Sequence, residues 1–389
     1  MTDAMLTLVT PVARNQAGGW IDDILAQLAA EHGMTDRLTL AGKFPRTRLE
    51  ELSGGAEAAR EIYYRRGWTD GLPIVPPTVD LVARMLAGCQ FAPDREIAVL
   101  DPLCGVASVE LVAANAVMAG CAAEQFPAVL AAVIAIDQPD FNLLGAQTTD
   151  ENVAPLLILN GPARHRMEVN CRFGALGPGW RGNACIGRAL RLVMNNIGGG
   201  WPQAVSYAGL AQPGRYTLVI GEDEEHSPWK PLHVDAGFRP EQSVLTVQRA
   251  ETCINVTGGL AEIASVMGSA ASMFGMLNDS HSCVVLAPAT AEALAADGWS
   301  KRDVAEHLYR EGRLDAAMLE KSWLFQNAMY RRQNWPSWVQ DALPSGRIPV
   351  ASSAERITIV VAGGDVPIAQ HAYLPSWGGP PCRIMLPID

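Results

Sequence analysis

The chain has 389 residues, of which 49% are hydrophobic and 18% charged, a globular composition with room for a large core. Its 30 Lys and Arg face 41 Asp and Glu, giving a formal net charge of -11. No basic face is therefore expected to hold a phosphate backbone, and nucleic acid is not an expected partner. Only four lysines occur, Lys43, Lys230, Lys301 and Lys321, so Schiff-base chemistry has few candidates.

Met1 to Arg14 lacks the charged start and apolar run of a secretory signal. Apolar stretches such as Phe126 to Ile136 reach 11 residues, short of the roughly 20 that cross a bilayer. A cytoplasmic protein with no membrane contact is expected. The eight cysteines, Cys89, Cys104, Cys121, Cys171, Cys185, Cys253, Cys283 and Cys382, include no C-x-x-C pair. A structural zinc site or redox dithiol within the chain is not expected, and most of the thiols are small core residues on this view.

Residues 1–66 read as a helical preface, with helical spacing of Ile21, Ile24, Leu25 and Leu28 over Trp20 to Ala30 and a weaker repeat over Glu57 to Arg65. From Trp68 onward, short runs of Val, Ile and Leu end in Gly, Pro, Asn or Asp, as buried strands do where they enter functional loops. Six such units are expected. Leu72–Val75 leads to Pro76-Pro77-Thr78, Ala154–Leu159 to Asn160-Gly161-Pro162, and Tyr216–Ile220 to the acidic run 222–225. Ser243–Val247 is a fourth, Cys283–Leu286 leads to Ala287-Pro288, and Ile357–Ala362 to Gly363-Gly364-Asp365. Thr78 and Thr290 each read as an N-cap opening a helix, and this likeness suggests two related lobes. Val109 to Met118 and Pro127 to Ile136 read as buried helices, apolar on nearly every side. Leu260 to Leu277, rich in Gly, Ala and Ser, reads as a close-packed helix. The expected fold is α/β, a mixed sheet with flanking helices, divided into a preface (1–66), an α/β lobe carrying a glycine-rich loop (67–245) and a second α/β lobe (246–389).

Chemistry is expected on four segments. Gly174 to Asn196 places four glycines before Asn183, which reads as an N-cap, and Arg181 and Arg188 flank the helix start. Exposed amide groups there would suit a carboxylate or phosphate, although neither a Walker loop nor a dinucleotide fingerprint is present. Cys185, in the first turn of that helix, would gain thiolate stability from the dipole and the arginines. Cys121, at the break between two buried helices, and the loop residue Cys104 are alternative thiols. The run Glu222-Asp223-Glu224-Glu225-His226, with His233 following, offers acid/base groups or ligands for a metal. The spacing of His226 and His233 matches no helix-borne metal pair, so no metal site and no cofactor is assigned. No G-x-S-x-G occurs, so a serine triad has no support.

The segments GWTDGLPIVPPT (67–78), VMAGC (117–121), LNGP (159–162), GPGWRGNACIGRALRL (177–192), SPWKPLHV (227–234) and DGWSKRDV (297–304) resemble a largely uncharacterised bacterial family. Its members are encoded with, or fused to, a small UGSC-type protein in which selenocysteine or cysteine heads the motif. The likeness runs on to VVAGGD (360–365) and LPSWGG (374–379) and covers most of the chain after residue 66. The resemblance points to Cys121, Asn160, Gly161, Trp180, Arg181, Asn183, Arg188, Trp229 and His233. It favours Cys121 over Cys185, because the family places a different small residue at the latter position. This chain has no C-G-S-C of its own, so a redox role would require a separate UGSC-type partner.

The expected function is a small-molecule enzyme, a hydrolase or lyase or a thiol-linked reductase. Cys121 is the expected nucleophile and His233 or Glu225 the acid/base. Asn160, Gly161, Trp180, Arg181, Asn183 and Arg188 are expected to hold a polar or anionic substrate. Two alternatives stand beside it: a metal-dependent hydrolase or lyase using His226, His233 and nearby carboxylates, and a non-catalytic subunit paired with a UGSC-type protein. A homo-oligomer is expected.

Overall fold

The computed structural model describes residues 5–12, 49–322, 326 and 334–388. Its fold is α/β, with mixed sheets flanked by helices. Fourteen strands are described: β1 (Leu6–Val9), β2 (Leu49–Leu52), β3 (Glu96–Leu100), β4 (Gly105–Ser108), β5 (Ala154–Asn160), β6 (Val219–Gly221), β7 (Val244–Ala250), β8 (Ile254–Thr257), β9 (Ser282–Leu286), β10 (Arg313–Asp315), β11 (Arg347–Pro349), β12 (Ile357–Val361), β13 (Gln370–Leu374) and β14 (Ile384–Pro387). The longer helices are α1 (Gly55–Arg65), α2 (Val79–Leu86), α3 (Val109–Ala119), α4 (Phe126–Ile136), α5 (Arg181–Asn196), α6 (Leu260–Met267), α7 (Pro288–Ala296) and α8 (Lys301–Glu311).

Two four-stranded sheets form the centre, ordered β14-β7-β5-β6 and β12-β9-β13-β8. Each has a parallel pair at one edge, β5 with β6 and β9 with β12, followed by two antiparallel pairings. The sheets face each other. Ala154, Leu156, Ile158, Ile220 and Ala250 of the first pack with Cys283, Val285, Val360, Ala372 and Leu374 of the second. Gln248 Nε2 donates to Thr358 Oγ1 across this layer at 2.9 Å. On the outer face of the first sheet, Leu157, Leu159, Leu245 and Val247 pack with α3, α4 and α5. On that of the second, Val284, Leu286 and Ile359 pack with α6 and α8. The result is four layers, helix, sheet, sheet, helix. Strands covered on both faces carry unbroken apolar runs, which is why β5, β9 and β12 read as such in the sequence.

The fourth strand of each sheet follows in the chain on an interior strand of the other. β8 follows β7 almost directly yet pairs with β13, and β14 follows β13 yet pairs with β7. The expected division after residue 245 falls within β7, at the point where the chain is about to cross between the sheets.

Several expected elements differ. Leu72–Val75 is an extended segment outside the sheets, tied instead by the Val75 amide to the Met118 carbonyl at 3.2 Å. Thr78 does cap α2, its Oγ1 accepting from the Leu81 amide at 3.3 Å. Thr290 does not cap α7, which begins earlier because Pro288 suits a first helical turn. Leu260 to Leu277 is broken after Met267, where a β-carbon on Gly268 would meet the Arg313 carbonyl oxygen at 2.5 Å. The preface holds the antiparallel pair β1–β2 as well as α1, and the expected helix over Trp20 to Ala30 lies outside the described residues. Among the described residues, no single helix is long and apolar enough to cross a membrane.

One buried carboxyl makes the fold sensitive to pH. Burial pushes Glu251 up to about 7; the Asn152 amide opposes that rise and neighbouring Glu151 adds to it. Glu151 itself is raised, chiefly by burial. The folded chain therefore holds a proton that the unfolded chain has released above roughly pH 4.3. The stability tied to that proton is complete below the unfolded value and is lost as pH rises through about 7. The melting temperature is expected to fall between pH 5 and pH 8, and Glu251→Gln should flatten that slope. An unchanged slope in the variant would refute the assignment.

Candidate functional site

Parallel pairing brings the carboxyl ends of β5 and β6 side by side, the position at which α/β sheets present loops to ligands. The second sheet reaches the same place, since the Asp223 amide donates to the Val361 carbonyl and the Gly363 amide to the Cys171 carbonyl, both at 2.8 Å. Loops after β5, β6 and β12 thus converge. At their base, Gly161 has φ +80, and a β-carbon there would lie 2.2 Å from the Gln242 carbonyl oxygen, so only glycine fits. Its amide donates to Glu224 Oε1 at 2.7 Å. Asn160 Nδ2 donates to Glu222 at 2.6 Å and to Glu224 at 3.0 Å, and its Oδ1 is buried with no partner. Asn160 and Gly161 therefore hold the acidic run in place.

Arg164 is the central cation. It forms a two-pronged pair with Glu225, Nη2 to Oε1 at 2.8 Å and Nη1 to Oε2 at 3.1 Å, and also donates to the Glu222 carbonyl at 2.7 Å. The Arg164 hydrogen bond holds Glu225 down to about 2. Glu225 is thereby suited to fixing Arg164 and His165, not to carrying a proton near neutrality. His233 is fully buried, with Nδ1 at 4.0 Å from Glu224 and Nε2 at 3.4 Å from the Pro240 carbonyl.

His226 is placed differently. Its side chain is 50% exposed, and its Nδ1 lies 2.9 Å from Oδ1 of Asp223, which is 1% exposed. Arg172 rests against the ring, with Nη1 in hydrogen-bonding range of its nitrogens and Nη2 at 3.3 Å from Asp365. Arg172 also lines an open groove of 620 Å³ together with Phe173, Asn255, Gly363, Gly364 and His371.

Cys171, Asp223 and Glu225 offer ligand atoms within 4.8 Å of one another. Arg164 Nη1 approaches both Glu225 Oε2, at 3.1 Å, and Cys171 Sγ, at 3.8 Å. A guanidinium in contact with two of the three donors does not suit a cation, and burial keeps the Cys171 thiol protonated by raising its pKa. The histidines of the metal alternative lie beside different carboxylates, His226 against Asp223 at 2.9 Å and His233 4.0 Å from Glu224.

The remaining expected residues form a second group where α3 meets α5. Cys121 is 7% exposed, and its Sγ donates to the Cys185 carbonyl at 3.3 Å. Burial, followed by repulsion from Cys185, raises its thiol well above the ordinary range despite the opposing pull of Arg181 and Arg188. Cys185 is likewise raised by burial. Arg181 Nε donates to the Gly120 carbonyl at 2.9 Å. Arg188 grips Asp70 with Nε at 2.7 Å and Nη2 at 2.9 Å, and reaches the Pro73 carbonyl at 2.9 Å. The motifs at 67–78, 117–121 and 177–192 thus meet in space. The partners of Cys121 all belong to this group, and those of His233 and Glu225 to the other.

Asn183 is not the N-cap. The helix begins at Arg181 after the half-exposed Trp180, because Asn183 is turned inward. It is 4% exposed, accepts from the Asn170 amide at 2.7 Å and donates to the Asn170, Ala175 and Val219 carbonyls at 3.0 to 3.1 Å. Gly182, just before it, faces the Met167 carbonyl, which a β-carbon would approach to 2.4 Å. At that position the loop's glycine lets two stretches of this chain touch.

Arg164 and Arg172, and the pairing of Asp223 with His226, were not singled out from the sequence. The residues R-H-R at 164–166, one residue beyond Asn160-Gly161-Pro162, are the signal for a cation at the loop that follows β5. No protein-family model and no curated protein matches the chain.

Proposed function

We propose that the protein is an enzyme acting on a small anionic molecule, with His226 as general base and acid, Asp223 as its orienting carboxylate and Arg172 as the group that receives the anion. The observation that carries this reading is the 2.9 Å contact between a buried carboxylate and a half-exposed imidazole. Donation of the Nδ1 proton to Asp223 fixes the tautomer and turns the Nε2 lone pair toward Arg172 Nη1 at 2.6 Å, so an anion that draws the guanidinium away frees Nε2 to take a proton. From that position the imidazole activates a water for hydrolysis, or removes a substrate proton and returns it to a leaving group in bond lysis. Arg172 supplies a charge-assisted contact at the mouth of the groove, and Asn160, Gly161 and Arg164 keep the loop that bears Asp223 in register. Cys121 stands outside this mechanism, because burial disfavours its thiolate and the thiolate is the nucleophile.

The test is turnover of a panel of small carboxylate and phosphate esters and β-substituted acids by the purified chain alone. On any substrate found, His226→Gln should lower kcat by about 10²- to 10⁴-fold with the melting temperature unchanged, while Arg172→Ala should act mainly on KM. Full turnover by His226→Gln would overturn the proposal. Loss of turnover in Cys121→Ser with His226→Gln unaffected would move the chemistry to the thiol.

A further inference from the structure

Lys230 and Lys301 are two of only four lysines in a chain of net charge -11, and both line one cavity of 660 Å³ with Arg302 and Arg383. Two carboxylates, Asp235 and Glu355, line it as well, so the cations left without a partner decide what it attracts. Lys301 is matched by Glu222 at 3.1 Å and Asp235 at 3.3 Å, and Arg302 by Glu306 at 2.7 Å. Among the described residues, neither Lys230 nor Arg383 forms an ion pair. Burial, and then repulsion from the cation Arg356, pulls Arg383 down, and Arg356 already has its own carboxylate in Asp279 at 3.0 Å.

The rest of the wall is apolar or weakly polar: Trp229, Ala305, Ile357 and Ile359. Trp229 is fixed by donating Nε1–H to the Trp299 carbonyl at 2.8 Å. The first residues of α8 complete the rim, and Ser300 with Asp303 caps that helix end, so the charge on offer comes from the side chains. A held indole, aliphatic side chains and two uncompensated cations describe a ligand with an apolar body and an anionic head.

We propose that this cavity binds a small organic anion, with Lys230 and Arg383 on the charged group and Trp229 against the apolar body. It is separate from the groove beside Arg172 and shares no lining residue with it. Lys301 joins the two regions, because the Glu222 that it contacts also receives the Asn160 amide. An occupant here would therefore bear on the loop that carries Asp223.

The experiment is calorimetric titration of the full chain with phenyl phosphate, alongside inorganic phosphate and phenol. Phenyl phosphate should bind more tightly than either fragment and more weakly as salt is raised. Lys230→Gln and Arg383→Gln should each weaken binding about tenfold and together abolish it. Both side chains are exposed and unpaired, so melting temperatures should hold. His226→Gln and Arg172→Ala should bind as the unaltered chain does, which keeps this result apart from the fate of the proposed catalytic reading. No binding at millimolar phenyl phosphate, binding that survives the double substitution, or binding lost only in Arg172→Ala would each overturn the proposal.

Discussion

Asn183→Ala is expected to destabilise the protein by about 3–5 kcal/mol, among the largest effects of any single polar substitution in the chain. The side chain is buried, accepts one backbone amide and donates to three carbonyls. Alanine removes both ends of that network and leaves the Asn170 amide without its acceptor in a space closed to solvent. Each buried group so orphaned costs about 1–3 kcal/mol. The network also joins the loop at 170–175 to β6, so its loss loosens the platform beneath Cys171 and Arg172. Urea unfolding monitored by tryptophan fluorescence would measure the effect. Asn183→Asp is the informative partner, since it keeps the acceptor, loses the donor and buries a charge, and should be no more stable than alanine. A cost below about 1 kcal/mol for both would mean that the clamp carries no weight.

Arg188→Ala is expected to cost a similar amount, about 3–5 kcal/mol, through the partner that it abandons. Asp70 is 3% exposed on its side chain, and Arg188 meets it with two nitrogens; removing one member of such a pair leaves an uncompensated buried charge. The pair also fastens the 67–78 segment to α5, with the Pro73 carbonyl sharing the guanidinium. An arginine waiting for substrate would behave otherwise, with its loss weakening ligand binding and sparing stability. Asp70→Asn combined with Arg188→Gln should recover much of the loss, because neither residue is then charged. A normal melt for Arg188→Ala would refute the structural role and return this arginine to the ligand.

The strands that were legible in the sequence are those buried on both faces. β5, β9 and β12 are mostly Val, Ile and Leu because a layer covers each face, and the helices at 109–119 and 126–136 announce themselves for the same reason. Leu72–Val75 has that composition too, but it spends its hydrogen bonds on Met118 and Arg188 instead of a sheet, and nothing local distinguishes the two uses. β13 mixes polar and apolar residues, and β14 is only four residues long and ends in proline, so neither reads as a strand.

The site divides along a similar line. Local chemistry exposed the acidic run and the glycine loop. The selection of Cys121 with His233 needed distances that no local pattern holds. Asn183 shows the limit well: an asparagine after glycines has the composition of a cap, and only the neighbours at 170, 175 and 219 reveal a clamp. Conversely, the sequence places His226 with His233 in the metal-dependent alternative, whereas its contact is Asp223, three residues away.

The exchanged strands also dictate an order of assembly on the ribosome. β8 leaves the exit tunnel before β9, β12 or β13 exist, and must wait for a sheet not yet made. β7, made just before it, keeps one edge bare until residues 384–387 emerge. A row of unmatched amide and carbonyl groups is a template for any passing strand. A nascent or truncated chain that stops short of β14 therefore offers its own centre to neighbours, and a chaperone that shields β7 would act on a gap that only residues 384–387 close.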